Sequence, residues 1–294
     1  MRDFYFCSMS TFLERLHPLV DAALKEDVGS GDHSTLCCIP ADARGKAVLK
    51  IKGEGILAGV EVAEKIFAYK APGSRFTKHK DDGEAMQPGE TAFEVEARVH
   101  AILQLERLVL NCMQRMSGIA TLTKQYTQKL EGYKTRLLDT RKTTPNFRLL
   151  EKEAVRIGGG VNHRFGLFDM IMLKDNHIDY CGGITPAIER AHDYVQRYHP
   201  HLQIEVETRS IADVEEALDA GRGKIHRLML DNFTPELVAE AVKLIGGVFE
   251  TEASGGINMD TIEAYAATGV DYVSVGGLIH QARSLDLSLK AVIV

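Results

Sequence analysis

A C-x-x-C pair is absent from the 294-residue chain, and its five cysteines, at positions 7, 37, 38, 112 and 181, are odd in number, which argues against both a metal cluster and a disulfide framework. A reducing compartment fits such a set. No apolar run approaches the length of a membrane span. The opening MRDFYFCSMSTFLERL carries charge early and has no long apolar core, so a signal peptide is not expected either. A basic tail is also missing, and with a net charge of -6 and a pI near 6.0 the chain is a poor partner for nucleic acid. Neither G-x-G-x-x-G nor a Walker pattern occurs. What remains is a soluble, cytoplasmic protein whose 45 % hydrophobic content and length allow two domains.

One stretch departs from the acidic whole. Residues 139–177, DTRKTTPNFRLLEKEAVRIGGGVNHRFGLFDMIMLKDNH, hold seven Lys and Arg against five Asp and Glu. That reversal marks a site for anionic small molecules. Thr144 followed by Pro145 predicts a helix start, with Phe147, Leu150, Ala154 and Ile157 at helical spacing and Gly158, Gly159 and Gly160 at its end. Arg141 and Lys142 are then expected just before a helix N-terminus, where backbone N–H groups and the dipole favour an anion. His163 and Arg164 follow on a Gly-flanked loop. The apolar run Met170 to Leu173 predicts a buried strand with Lys174 and His177 at its carboxyl end. An ordinary solvated helix face accounts for Arg148, Lys152 and Arg156. It does not account for cations on a loop and at a strand end.

Upstream, the pattern predicts an amphipathic helix over 10–28, a turn in DVGSGDHST, strands within 44–59, a short helix over 60–69 and further β structure over 76–98. A long helix over His100 to Leu130, interrupted near Ser117 and Gly118, carries an apolar stripe suited to core or oligomer contact. Arg107 lies off that stripe, as a solvated charge does. After Thr135, strands alternate with helices: RLLD, MIMLK, QIEVE, RLMLD, FETEAS and YVSVGG. Thr185 with Pro186, Thr234 with Pro235, and Ser210 with Asp213 read as helix starts between them. Such alternation predicts parallel strands joined by right-handed crossovers, with chemistry at their carboxyl ends.

Those ends are Asp139, Lys174, Glu207, Asp231, Ser254-Gly255-Gly256 and Gly276-Gly277, with apolar residues behind them. Glu205 shares a strand face with Glu207, so either is a candidate for the acting acid. The spacing suits a ring of βα units, yet 116–277 is short of the ~250 residues of a complete eight-fold barrel. The expected fold is therefore α/β, with an N-terminal domain over 1–115, joined by 278–294, and a truncated parallel α/β (TIM-like) barrel over 116–277.

The segments DTRKTTPNFR, GGGVNHR, IMLKDNH, IEVE, LMLDN, EASGGIN and VSVGGL, in this order and with LKEDVGSGDHST and ERLVLN upstream, closely resemble the quinolinate phosphoribosyltransferase family. These enzymes are also called carboxylating nicotinate-nucleotide pyrophosphorylases. The resemblance covers nearly the whole chain. It implies an N-terminal α/β sandwich, an incomplete barrel, magnesium as cofactor, phosphoribosyl pyrophosphate as cosubstrate, and a homodimer in which each site takes Arg107 from the other subunit. It assigns Arg141, His163 and Arg164 to the quinolinate carboxylates, with Thr140 among the substrate-binding positions. Lys142 and Lys174 fall near the pyrophosphate and the reacting centre. Glu207 and Asp231 take the ribose hydroxyls, directly or through magnesium, and with the two lysines form the catalytic set. Ser254, Gly255 and Gly256, with Val275, Gly276 and Gly277, take the 5'-phosphate.

The chemistry agrees with the residues. A pyridine dicarboxylate and a pyrophosphorylated sugar phosphate bring many negative charges together, so cations and oriented N–H groups must be supplied. A phosphoribosyltransferase for nicotinate, without decarboxylation, is the nearest alternative. A barrel lyase or isomerase acting on a sugar phosphate would use the glycine loops without a pyrophosphate. A metabolite-binding protein has no reason to place acids and lysines at successive strand ends.

Overall fold

The computed structural model describes residues 9–292, so Cys7 and the first half of the segment behind the signal-peptide expectation lie outside the described residues. The chain divides into two compact units, one of Met1–Lys124, Thr143–Gly159 and Leu278–Val294, the other of Gln125–Lys142 and Gly160–Gly277. The strands in chain order are β1 (Arg44–Ile51), β2 (Gly55–Ile56), β3 (Arg75–Lys78), β4 (Ala85–Met86), β5 (Thr91–Arg98), β6 (Arg136–Leu138), β7 (Ile171–Leu173), β8 (Ile204–Thr208), β9 (Arg227–Asp231), β10 (Glu250–Ser254), β11 (Tyr272–Ser274) and β12 (Leu287–Val292). No helix of the described residues is long and apolar enough to cross a membrane.

In the first unit an antiparallel sheet takes the order β12-β1-β5-β3. Alternation in β5 buries Phe93, Val95 and Ala97 and exposes Glu96 and Arg98. Phe93 stacks on Phe76 at 4.4 Å between centroids, and Phe67, from the helix Val60–Lys70, meets both. Part of the stretch expected as a turn forms the short helix His33–Cys38, because the Asp32 carboxylate caps it by accepting the Thr35 N–H at 3.1 Å.

The helix Val99–Lys129 runs without the break expected near Ser117 and Gly118. The Ser117 hydroxyl instead donates to Ala58 O at 3.2 Å and accepts the Ala58 N–H at 3.0 Å. At Gly118 an added Cβ would lie 2.0 Å from Arg283 O, so the missing side chain permits a close backbone approach. Gly118→Ala should therefore lower the unfolding free energy by about 1–3 kcal/mol, read from the urea midpoint. An unchanged midpoint would show that the approach is not kept in solution.

The helix start expected at Thr144 is displaced. The helix is Arg148–Ile157, with Phe147 at its N-cap and no side-chain cap. The buried Glu151 carboxylate accepts the Thr144 N–H at 2.8 Å and its hydroxyl at 2.9 Å, and holds Arg115 at 3.0 Å. Thr144 is thus fixed by an acid from within the helix rather than capping it. No helix N-terminus forms directly after Lys142, so that part of the expected anion site is absent.

The second unit is a six-stranded parallel sheet in the order β6-β11-β10-β9-β8-β7. Beyond β6, Val161 forms a parallel bridge to Leu138. In chain order the stations β6, Val161, β7, β8, β9, β10 and β11 follow one another, and β11 returns to pair with β6. The ring is open between Val161 and β7, which makes it a truncated barrel of seven stations rather than eight. Thr234 and Ser210 cap their helices as expected, accepting the N–H of Leu237 and Asp213. Thr185 does not: its helix begins at Ile184, and its N–H and hydroxyl both donate to Glu216.

Candidate active site

Because successive side chains of a strand alternate, the residues that end the parallel strands share the inward face with those two places earlier. They enclose a cavity of about 590 Å³. Thr140, Arg141 and Lys142 reach it after β6, His163 and Arg164 after Val161, Lys174 after β7, Asp231 from β9, and Ser254, Gly255 and Gly256 from β10 and its turn. Ten of the expected site residues thus meet in one place. Glu207, one residue before the end of β8, joins them through Lys174, whose Nζ donates to its carboxylate at 2.9 Å, while the Asp175 N–H donates to the other oxygen at 3.2 Å. Glu205 is fully buried beneath, and Glu207 is the one of the two that meets Lys174.

Other expectations fall outside the cavity lining. Arg107 is exposed on the helix Val99–Lys129 of the first unit. His177 is exposed on the helix Asp175–Cys181, where its Nδ1 accepts the Lys174 N–H at 3.0 Å. Val275, Gly276 and Gly277 do not line the cavity, and the Val275 N–H already donates to Leu138 O at 3.1 Å, joining β11 to β6. A phosphate contact from that amide is therefore not available.

The β9 and β10 ends lock together. Asn232 takes a left-handed conformation at φ 59°, its N–H donates to Ser254 O at 2.8 Å, and its side-chain amide donates to Asp231 at 2.7 Å. Gly255 sits against it at φ 94°, where a Cβ would lie 2.2 Å from the Asn232 side chain. Only glycine fits there. Burial first, and then the charge of Glu207, push the Asp231 carboxyl above its usual range.

Asp139, expected as a strand end, is fully buried in the cavity lining, beside residues that the sequence pattern did not single out: Met172, Met229, Glu252 and Ser274. Asp139 accepts the His163 N–H at 2.7 Å, and the Arg164 guanidinium donates to Met170 O at 3.2 Å across the open seam of the ring. His163 Nε2 lies 3.0 Å from Glu205 and 3.2 Å from Glu252. Burial alone would lower this imidazole, but the two acids outweigh it and push it up to about 10. Against a second proton stands the Arg164 N–H, 2.7 Å from Nδ1. An imidazolium would set N–H against N–H there, so the ring carries one hydrogen, on Nε2. Burial, then the charge of Glu252, push the Glu205 carboxyl above its usual range, while the Arg227 guanidinium, 3.1 Å from Glu252, favours the charged form there.

Two sets of residues could be asked to hold a divalent metal. Glu207 and Asp231 offer hard oxygen donors of the kind magnesium takes, and their mutual repulsion is what a bound cation would relieve. They fit. His163, Glu205 and Glu252 bring three ligand-type atoms within 4.8 Å of one another. They do not fit, because a metal needs a lone pair on Nε2 and that nitrogen carries the hydrogen.

An incomplete parallel barrel whose strand ends gather four cations, a glycine turn and a pair of acids around one cavity defines a protein built for anionic small molecules. The chain belongs to the quinolinate phosphoribosyl transferase family. Residues 32–117 match that family's N-terminal domain and residues 119–290 its C-terminal domain. It is 42 % identical over 288 residues to a decarboxylating quinolinate phosphoribosyltransferase of Nicotiana tabacum, covering 94 % of this chain and 82 % of that one. With the probable carboxylating nicotinate-nucleotide pyrophosphorylase of Bacillus subtilis the identity is 41 %, over 94 % and 93 % of the two chains. The crystal structure of NadC from Streptococcus pyogenes superposes with a TM-score of 0.86 at 41 % identity, covering 94 % of this chain and 96 % of that one. The nicotinate-nucleotide pyrophosphorylase from Francisella tularensis gives 0.87 at 35 % identity, over 99 % of each.

Proposed function

We propose that the chain transfers the phosphoribosyl group of phosphoribosyl pyrophosphate to quinolinate and releases carbon dioxide, giving nicotinate mononucleotide for NAD synthesis. The observation that carries this reading is the convergence of Arg141, Lys142, Arg164 and Lys174 with Asp231 and the Ser254–Gly256 turn in one cavity. Arg141 and Arg164 bind the two carboxylates and set the ring nitrogen toward the ribose. Lys142 and Lys174 meet the departing pyrophosphate. Glu207 and Asp231 take the ribose hydroxyls and stabilise the cation-like centre left as the pyrophosphate leaves. The Ser254–Gly256 turn takes the 5'-phosphate. Attack by the ring nitrogen makes a pyridinium, whose charge stabilises the carbanion left when the adjacent carboxylate departs as carbon dioxide; that carbon then takes a proton to give nicotinate mononucleotide.

Glu207 and Asp231 would hold magnesium, which would supply charge neutralisation at the pyrophosphate. The enzyme works in the cytoplasm as a homodimer, each site taking Arg107 from the other subunit. An assay with quinolinate, phosphoribosyl pyrophosphate and magnesium, following both products, tests the reading. One carbon dioxide per pyrophosphate, with loss of activity on chelation and recovery on adding magnesium, is expected. Pyrophosphate release driven equally by nicotinate, with no carbon dioxide, would overturn it.

Arg164→Ala removes a charged hydrogen-bond donor to a carboxylate, a contact of about 1.5–3 kcal/mol. Use of quinolinate should weaken by about ten- to a hundredfold. Unchanged quinolinate kinetics in the folded variant would remove Arg164 from the dicarboxylate site.

A further inference from the structure

We propose that Glu205, Glu252 and Arg227 are positioning residues for the dicarboxylate site: they hold the His163 ring, and through its Nδ1 the backbone that presents Arg164. The inference rests on the reading that Arg164 meets a substrate carboxylate.

The need for such a support comes from the open ring. Residues 162–170 lie between the Val161 bridge and β7 and have no strand assignment, so no sheet ladder fixes the place of Arg164. Side chains do it instead. The His163 N–H is held by Asp139 after β6, its Nε2–H faces Glu205 of β8 and Glu252 of β10, and its Nδ1 accepts the Arg164 N–H. Two strands therefore converge on one imidazole while Asp139 fixes its backbone, and the ring hands the constraint on to the next residue.

The burial of two acids supports this role over simple packing. Two carboxyls buried completely in a barrel floor are costly unless partnered, and Met170, Met172 and Met229 show that the same floor accepts apolar side chains. Arg227 supplies the compensating charge: its Nη1 donates to Glu252 at 3.1 Å, its Nη2 donates to Glu250 at 2.9 Å, and its guanidinium lies 4.2 Å from the Tyr272 ring centroid. The layer is polar and directional, with Nε2 set 3.0 and 3.2 Å from the two acids, which an apolar replacement would not be.

Glu205→Gln and Glu252→Gln keep the side-chain shape and disturb the hold on Nε2–H. For both, KM for quinolinate should rise about tenfold while kcat and KM for phosphoribosyl pyrophosphate stay within about twofold. A role in stability alone would lower the melting temperature and leave that split unmade, and this result would overturn the inference. Should the variants not fold, nitrogen-15 NMR of the His163 ring in the ligand-free native protein decides. The Nε2–H tautomer with an accepting Nδ1 is expected; an Nδ1–H tautomer or an imidazolium at neutral pH would overturn it. The NMR readout holds whether or not quinolinate is the substrate, so failure of the network and failure of the functional reading are separable.

Discussion

Asp231→Asn and Glu207→Gln are each expected to lower turnover by about a hundred- to a thousandfold, the size found when one oriented contact to a developing charge is removed. Both amides keep the shape of the side chain, and both residues lie in the last two positions of strands, β9 and β8, whose pairing comes from the backbone. Folding should therefore survive. Asp231 has the clearer electrostatic signature, because burial and Glu207 already press its carboxyl upward, so its charge is maintained against cost. Glu207 also orients Lys174. Quinolinate binding, which depends on the arginines, should remain nearly intact, and steady-state kinetics beside calorimetry separates the two effects. Normal turnover with normal binding of phosphoribosyl pyrophosphate in either variant would make that acid structural.

Arg107→Ala and Lys174→Ala subunits, each inactive alone, should recover about a quarter of the unaltered activity when exchanged freely in equal amounts. The arithmetic follows from the proposed two-fold dimer. About half of the dimers are mixed, and each mixed dimer pairs a site with both defects and a site with neither, so roughly a quarter of all sites are intact. The exposure of Arg107 on its helix leaves it available to another subunit. If it served the same subunit as Lys174, every site would lack one of the two residues. A mixture that demonstrably contains mixed dimers and stays inactive would place Arg107 outside the neighbouring site.

The barrel was legible because its strands are short apolar runs that end abruptly in charge, as at Leu173-Lys174 and Leu230-Asp231. What remained hidden depended on partners distant in sequence. Gly118 reads locally as a helix break, and only the approach of Arg283, far along the chain, shows why a helix keeps a glycine there. Thr144 followed by Pro145 has the form of a cap, but Glu151 captures the threonine. Val275 reads as the start of a phosphate loop until its N–H is seen paired with β6. The floor carried a usable signal. Met172, Glu205, Met229 and Glu252 each lie two residues before a strand-end position, and period-two alternation places them on the inward face. That two of these are acids converging on His163 required the strand order.

In the proposed reaction the strand-end cavity binds the dicarboxylate and the phosphoribosyl group together. The most direct measurement is a crystal structure with quinolinate, magnesium and an unreactive carbocyclic analogue of phosphoribosyl pyrophosphate. The quinolinate carboxylates are predicted at Arg141 and Arg164, the ribose hydroxyls at Glu207 and Asp231, and the 5'-phosphate on the Ser254–Gly256 turn. Quinolinate bound outside this cavity, or a 5'-phosphate held away from that turn, would contradict the account.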